Sequence, residues 1–415
     1  MDQVQDTATS VAGWKLVLFF ERDHNEGLML TVESAPGTLR PIILEPSGIF
    51  DRWQALDAAS GERWSFLLQI VCACESRYPL GAGFGRCLFV RGENDFEVHE
   101  DFHPDLLAHL PRKIDLLGTR QGCPMTAVPL SKLSNAQNIP CSMTFQTSLV
   151  VFEHQLYIAK GPTESDSIDD IFSEVRNLSS LPKHRSIIEP PLALVTVSSE
   201  DDRLLGYLLK YYPNGNVRDY AISSRSQLSI EMLCKWSAQI AGVLGHLLYK
   251  CGFSYVDIKP DNFLVDEDQN LVLADFSNEG CTNWIAPPEL YHGYELNMST
   301  DGKEWSYTST EPANTSSMPR LLSIPTHWPP EAGDKAMVYS VGRSLWMIWE
   351  TIPADKFTMA GFHATGDFDP SRTVFTESTD LVPQAMKDMV LRCVHADPKA
   401  RPTLAEVESL FGKGP

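Results

Sequence analysis

The sequence predicts an α+β chain whose strand-rich first part gives way to a helix-rich second part. Three observations carry this. Short apolar runs broken by Gly, Pro and Asn recur up to about residue 160. Apolar residues at helical spacing fill several longer stretches from Ile168 onward. Between those helical stretches lies a dense polar set, Asp257, Lys259, Asn262 and Asp275, with a strand-like run inside it. With 415 residues and 43% hydrophobic content, the chain can build two or three domains with proper cores.

Charge and cysteine usage narrow the function classes. The net charge of −20, with no basic block, argues against nucleic acid or an anionic membrane as the main partner, though not against a basic peptide. The nine cysteines follow no zinc pattern: Cys72 and Cys74 are too close for a C-x₂-C knuckle, and no His pair follows at finger spacing. An odd count suggests reduced thiols. MDQVQDTATS has no basic region ahead of an apolar stretch, and runs such as Leu16 to Phe20 are far short of a membrane span. The expected location is cytoplasmic, with the nucleus as a second option.

Taken in order, residues 1–120 read as a β-rich accessory domain. GWKLVLFF, GLMLTVES and LRPIILEP look like strands. ERWSFLLQIVCAC fits a strand or a short buried helix equally. Gly81-Ala-Gly83-Phe-Gly85 reads as a turn. FHPDLLAHLPRKIDLLG reads as a short helix broken at Pro111. No chemistry is legible there, so the expected role is docking of another protein. Residues 121–145, polar and punctuated by Pro, read as a linker. SLVVF and LYIAK pair as a hairpin around Glu153-His154-Gln155, ending at Lys160. SDSIDDIFSEVRNLSSL is a helix with acids in its first turn and Ile168, Ile171, Phe172, Val175 and Leu178 on one face. ALVTVSS and LLGYLLKYY are strands. SIEMLCKWSAQIAGVLGHLLYKCGF is a long helix from a Ser229 cap to a Gly252 stop. Roughly Tyr291 to Gly333 is rich in Ser, Thr, Pro and Asn and reads as a flexible insert. KAMVYSVGRSLWMIWE restarts regular helix.

The polar set has the composition phosphoryl transfer requires. One carboxylate positions an attacking hydroxyl, a cation neutralises the moving phosphate, and an amide with a second carboxylate holds Mg²⁺. Asp257, Lys259, Asn262 and Asp275 fit those roles in that order. NLVLADF is an alternating strand that delivers Asp275 to the end of a hairpin.

Residues 146–412 resemble the catalytic core of eukaryotic protein kinases. DIKPDN (Asp257 to Asn262) resembles the catalytic loop, Asp275-Phe276-Ser277 the D-F-G, and Ala286 to Glu289 the A-P-E. Asp397-Pro398 and Arg401-Pro402-Thr403 are similar to D-P-x-x-R-P-T. The resemblance implies a bilobal fold, with an N-lobe over 146–212 and a C-lobe over 213–412. It implies ATP and Mg²⁺ as cofactors and a protein hydroxyl as acceptor. Lys160 would be the ATP-binding lysine and Glu174 its partner. Leu209 would guard the back of the pocket, and Lys210 to Tyr212 would be the linker reading adenine. Ala159 and Leu264 would sandwich the ring. Leu178 would stack towards Phe276. Thr282 resembles the threonine that bonds the catalytic Asp and Lys in Ser/Thr-directed kinases, and Arg401 would pair with Glu289.

Several positions depart from the family pattern. No Gly lies between Leu130 and His154, so no glycine loop precedes Lys160, and Gly81–Gly85 is too far upstream to serve. H-R-D is Tyr255-Val256-Asp257, which removes the arginine that receives an activation-loop phosphate. Only Asn278, Glu279 and Gly280 separate Ser277 from Cys281-Thr282. Ser277 replaces the third residue of D-F-G. Met337 stands where an Asp would hold the catalytic-loop backbone, so Asp334, one turn earlier, becomes the candidate for that role. Two functions follow as expectations: a divergent Ser/Thr protein kinase not switched by loop phosphorylation, or a pseudokinase serving as a binding or scaffold module.

Overall fold

The three N-terminal runs form β1 (Lys15–Glu21), β2 (Leu28–Glu33) and β3 (Leu39–Leu44). With β4 (Cys87–Arg91) and β5 (Glu97–Asp101) they make a five-stranded sheet in sequential order. Every pairing is antiparallel except β3 with β4. In the ambiguous stretch between β3 and β4, Phe66, Leu67 and Ile70 are helical and buried. The structure, a computed structural model, describes residues 15–21, 28–33, 39–44, scattered positions from 52 to 70, 87–91, 97–101, 104–112, 125–139, 145–162, 167–277, 280–282, 285–290, 294–299, 304–309, 324, 328–352, 373–376, 379–380 and 382–414. The glycine-containing stretch 81–85 lies outside them.

A second sheet follows the short helix α1 (Pro104–His109). Its strands are β6 (Thr126–Pro129), β7 (Ser134–Ile139), β8 (Phe145–Phe152), β9 (Gln155–Pro162), β10 (Ala193–Thr196) and β11 (Leu204–Lys210), in the order β6-β10-β11-β9-β8-β7. The reading of 121–145 as a linker is corrected here. TAVP runs parallel to β10, and SNAQNI pairs antiparallel with β8. Both are edge strands, bonded on one side only, so neither needs the apolar alternation that marks a central strand. The expected hairpin is present: Phe152 pairs with Gln155 across a two-residue turn, with Glu153 and His154 both at positive φ (49° and 65°). That matches the strand twist as a type I′ turn does. Helix α2 (Ile168–Ser180) carries Asp169 and Asp170 in its first turn, where they suit the helix dipole. It buries Ile171, Phe172, Val175 and Leu178. Arg203 donates to the Leu107 carbonyl at 2.7 Å, and the Leu204 N–H to Pro111 O at 2.9 Å, tying the α1 segment to the β10–β11 turn.

The helical part begins with α3 (Val217–Ser223), capped by Asn216, and α4 (Ile230–His246), capped by Ser229. A π-helical turn (Leu247–Cys251) extends α4 until Gly252 ends it at φ 65°, in the left-handed conformation glycine adopts without strain. A hairpin of β12 (Phe263–Val265) and β13 (Leu271–Leu273) follows. The segment read as a flexible insert is corrected in two places. Residues Tyr294–Met298 (β14) and Trp305–Ser309 (β15) pair as an antiparallel hairpin, and residues 330–333 belong to α5 (Pro330–Trp349). Helix α5 is buried on nearly all sides. Helices α6 (Gln384–Cys393) and α7 (Leu404–Gly412) complete the core, α7 behind a Thr403/Glu406 capping box.

Contacts group the chain into two units, Gln5–Ser179 with Glu189–Tyr211, and Ser180–Ile188 with Tyr212–Pro415. They are the β-rich and the helical lobe of the expected α+β, kinase-like fold. The five-stranded N-terminal sheet groups with the β-rich lobe.

Candidate active site

In the β-rich unit, Lys160 is the centre of a buried cluster. Its Nζ lies 2.8 Å from Glu174 Oε2, with 6% and 1% of the two side chains exposed. The Tyr207 hydroxyl donates to the same carboxylate oxygen. Strand register explains the convergence. Tyr207 lies directly opposite Lys160, and Leu209 opposite Ile158. Side chains alternate along a strand, so Lys160, Ile158, Tyr207 and Leu209 share one face. That corrects Ala159, which adjoins Lys160 and therefore points to the other face, where it is fully buried. Ile158 is the residue placed beside Lys160. Leu209 is buried, and Lys210 is exposed at the end of β11. The residues joining β7 to β8 are Pro140, Cys141, Ser142, Met143 and Thr144. They contain no glycine and lie outside the described residues.

In the helical unit, a second cluster forms around the Asp257 carboxylate. Oδ1 accepts hydrogen bonds from the Thr282 backbone N–H (3.0 Å) and hydroxyl (2.6 Å). Oδ2 is 2.6 Å from Lys259 Nζ and accepts from Asn262 Nδ2 at 3.0 Å. Lys259 Nζ is 3.5 Å from Thr282 Oγ1, which closes a triangle of carboxylate, cation and hydroxyl. Burial pulls the Lys259 ammonium pKa down, but Asp257, Asp275 and Asp261 together outweigh it and raise the value. The lysine is therefore charged at neutral pH. Asp261, raised by burial, is held in part by Arg218 at 2.6 Å.

Asn262 and Asp275 meet through one phenol. Asn262 Nδ2 donates to the Tyr255 hydroxyl at 2.9 Å and to the Asp257 carbonyl at 2.9 Å. The Tyr255 oxygen in turn lies 2.8 Å from Ala274 O and 3.1 Å from Asp275 O. The Ala274 N–H donates to Asn262 O at 2.8 Å. Asp275 itself sits at φ 60°, a conformation non-glycine residues rarely hold without a constraint. Phe276 is fully buried against Phe253 and Tyr255, at centroid distances of 5.7 and 5.3 Å. Among the described residues no group of three or more His, Cys, Asp or Glu side chains could cage a metal. The pair Asn262/Asp275 still suits Mg²⁺, which keeps several waters and takes phosphate oxygens as ligands. Because Asn262 spends its Nδ2 on three acceptors, the amide oxygen is the atom left for a cation.

Supports for this loop differ from the expectation in one respect. Asp334 does not reach the 257–262 loop: its oxygens accept from Tyr249 Oη (2.6 Å) and Leu404 N (3.0 Å). Two buried serines on one face of α5 bond backbone carbonyls instead, one within the 257–262 loop and one at Ile285. Ser344 donates to the Ile258 carbonyl, and Ser340 to the Ile285 carbonyl at 2.8 Å. Their i, i+4 spacing inside an apolar helix was the available sequence signal. Arg401 forms two bonds to Glu289, at 2.5 and 2.9 Å, and also reaches the carbonyls of His395 and Lys335. Tyr212 is buried, and Leu264 half-buried in β12.

Residues 157–289 match the family model of the protein kinase domain. The maternal embryonic leucine zipper kinase of Danio rerio is 39% identical over 89 residues, covering 21% of this chain and 12% of that protein. The 3-phosphoinositide-dependent protein kinase B of Dictyostelium discoideum is 24% identical over 224 residues, 54% of this chain and 22% of the relative. The serine/threonine-protein kinase OXI1 of Arabidopsis thaliana is 33% identical over 76 residues, 18% of each. The chain thus spans under a quarter of these relatives' lengths. It carries a eukaryotic protein kinase-like domain. No described helix is long and apolar enough to cross a membrane.

Proposed function

We propose that this chain is a divergent protein kinase that transfers the γ-phosphoryl group of MgATP to a Ser or Thr hydroxyl of another protein. The observation that carries this is the triangle of Asp257, Lys259 and Thr282. MgATP supplies the phosphoryl group and the metal's positive charge. Asp257 orients the acceptor hydroxyl and takes its proton as the new O–P bond forms and the bond to the β-phosphate oxygen breaks. Lys259 neutralises charge on the moving group. Asn262 and Asp275 would hold Mg²⁺. Lys160, fixed by Glu174, would hold phosphate oxygens, and Leu209, Lys210, Tyr212, Leu264 and Ile158 would receive the base. Thr282 favours an aliphatic hydroxyl acceptor. The N-terminal sheet would dock a partner protein.

The glycine-free connection between β7 and β8 favours a second reading, a pseudokinase used as a scaffold. Without glycines, backbone N–H groups cannot approach phosphates closely. Thermal unfolding separates the two. A site filled at 100 times its Kd adds about 2.7 kcal/mol, so MgATP raises Tm in the kinase reading and leaves it unchanged in a nucleotide-free scaffold. Equal labelling of Tyr and Ser/Thr acceptors would contradict the role given to Thr282.

A further inference from the structure

The third position of the D-F-G-like triplet carries a hydroxyl that the catalytic set does not account for. Ser277 Oγ donates to Asp275 Oδ1 at 3.0 Å. The bond spans two residues across Phe276, whose ring is fully buried. Asp275 is simultaneously held from its backbone side, where its carbonyl faces the Tyr255 hydroxyl and φ is 60°. Backbone and side chain of one carboxylate are therefore fixed by two different hydroxyls. A glycine in place of Ser277 could supply no such bond.

From this geometry we infer that Ser277 is a positioning residue that turns Asp275 towards a small divalent cation. It holds Oδ1 and so fixes the orientation of the carboxylate that would meet the metal. The inference rests on the reading of Asn262 and Asp275 as cation ligands. The consequence is selectivity. Mg²⁺ demands near-octahedral geometry, whereas Ca²⁺ accepts flexible coordination by six to eight oxygens. A pre-oriented carboxylate helps the first far more than the second. Removing an outer partner of a metal ligand typically costs 10- to 100-fold in affinity.

The test uses the full chain and a non-hydrolysable ATP analogue, with binding followed by calorimetry as Mg²⁺ or Ca²⁺ is titrated. Wild type, Ser277→Ala and Ser277→Thr are compared. The expected result is that Ser277→Ala needs about tenfold more Mg²⁺ for half-maximal analogue binding. Its Ca²⁺ requirement shifts by less than about threefold. Binding of the metal-free analogue stays the same, and Ser277→Thr restores the Mg²⁺ requirement. A purely structural defect would weaken analogue binding with Mg²⁺, with Ca²⁺ and without metal together, and would overturn the inference. Equal Mg²⁺ requirements in wild type and Ser277→Ala, or a lower one in the variant, would overturn the inference and leave the metal site standing. Metal-independent analogue binding by wild type would overturn both.

Discussion

At Tyr255 one oxygen connects Asn262 Nδ2 with the carbonyls of Ala274 and Asp275, while the ring packs edge-on against Phe276. Tyr255→Phe keeps the ring and removes the bridge. Leaving buried polar groups without a partner costs about 1–3 kcal/mol, so urea unfolding should show a loss in that range. The side chains of the D-x-K-x-x-N and D-F-S runs were legible because their spacing is written in the sequence. The Tyr255 bridge was not, since its acceptors are backbone carbonyls that only folding brings together. Ala159 was misplaced for a related reason: strand alternation reverses the face at each step, and a one-residue offset selects the wrong one. His184 offers a pH test. Its ring stacks on His246 at 4.4 Å and its Nδ1 accepts the Ser186 N–H at 3.2 Å, which requires the neutral ring. Burial, then His246 and Arg185, lower its pKa below the usual 6.5. An unfolded chain takes up this proton near pH 6.5, before the folded one does. The contribution is therefore complete above that pH and is lost as pH falls through the folded value. Unfolding measured from pH 7.5 to 5 should show wild type losing stability faster than His184→Gln.

Among the elements, α5 packs closely on the end of α6 at Gly342. A Cβ there would lie 2.6 Å from Cys393 Cβ and 2.9 Å from Val394 Cγ1. Gly342→Ala should destabilise by about 1–3 kcal/mol, read by thermal or urea unfolding, because helix-on-helix packing must open to admit it. The β8–β9 turn should respond in the opposite sense. Glu153 and His154 hold positive φ without being glycine, at roughly 1–2 kcal/mol each. Asn-Gly in their place should raise stability by about 1 kcal/mol or more in the same assay. The central strands and long helices were legible from periodicity, as were the Ser229 cap and the Gly252 stop. The edge strands β6 and β7 and the hairpin β14–β15 were not. β6 is four residues ending in Pro129 and β7 (SNAQNI) is polar, so neither shows the apolar alternation that marks a central strand. β14 and β15 are five residues each inside a stretch rich in Ser, Thr, Pro and Asn, which reads as a loop.

Across the whole molecule, the pair Glu289–Arg401 ties the Pro288–Leu290 turn to the residues just ahead of α7, with both side chains almost fully buried. Arg401→Met strands a buried carboxylate and should cost about 3–5 kcal/mol. Unfolding of the full chain reads this loss directly. The kinase-like core was legible because chemistry constrains its side chains. The N-terminal sheet carries no such constraint, and its grouping with the β-rich lobe is a matter of packing. The central claim, that Asp257 and Asp275 serve phosphoryl transfer, is tested most directly by incorporation of the γ-phosphate of MgATP into a Ser/Thr protein acceptor. The full-length wild type is compared with Asp257→Asn and Asp275→Ala. The account predicts incorporation by wild type and its loss, by at least about 100-fold, in both variants. Absence of incorporation by wild type, or incorporation that survives in either variant, would contradict it.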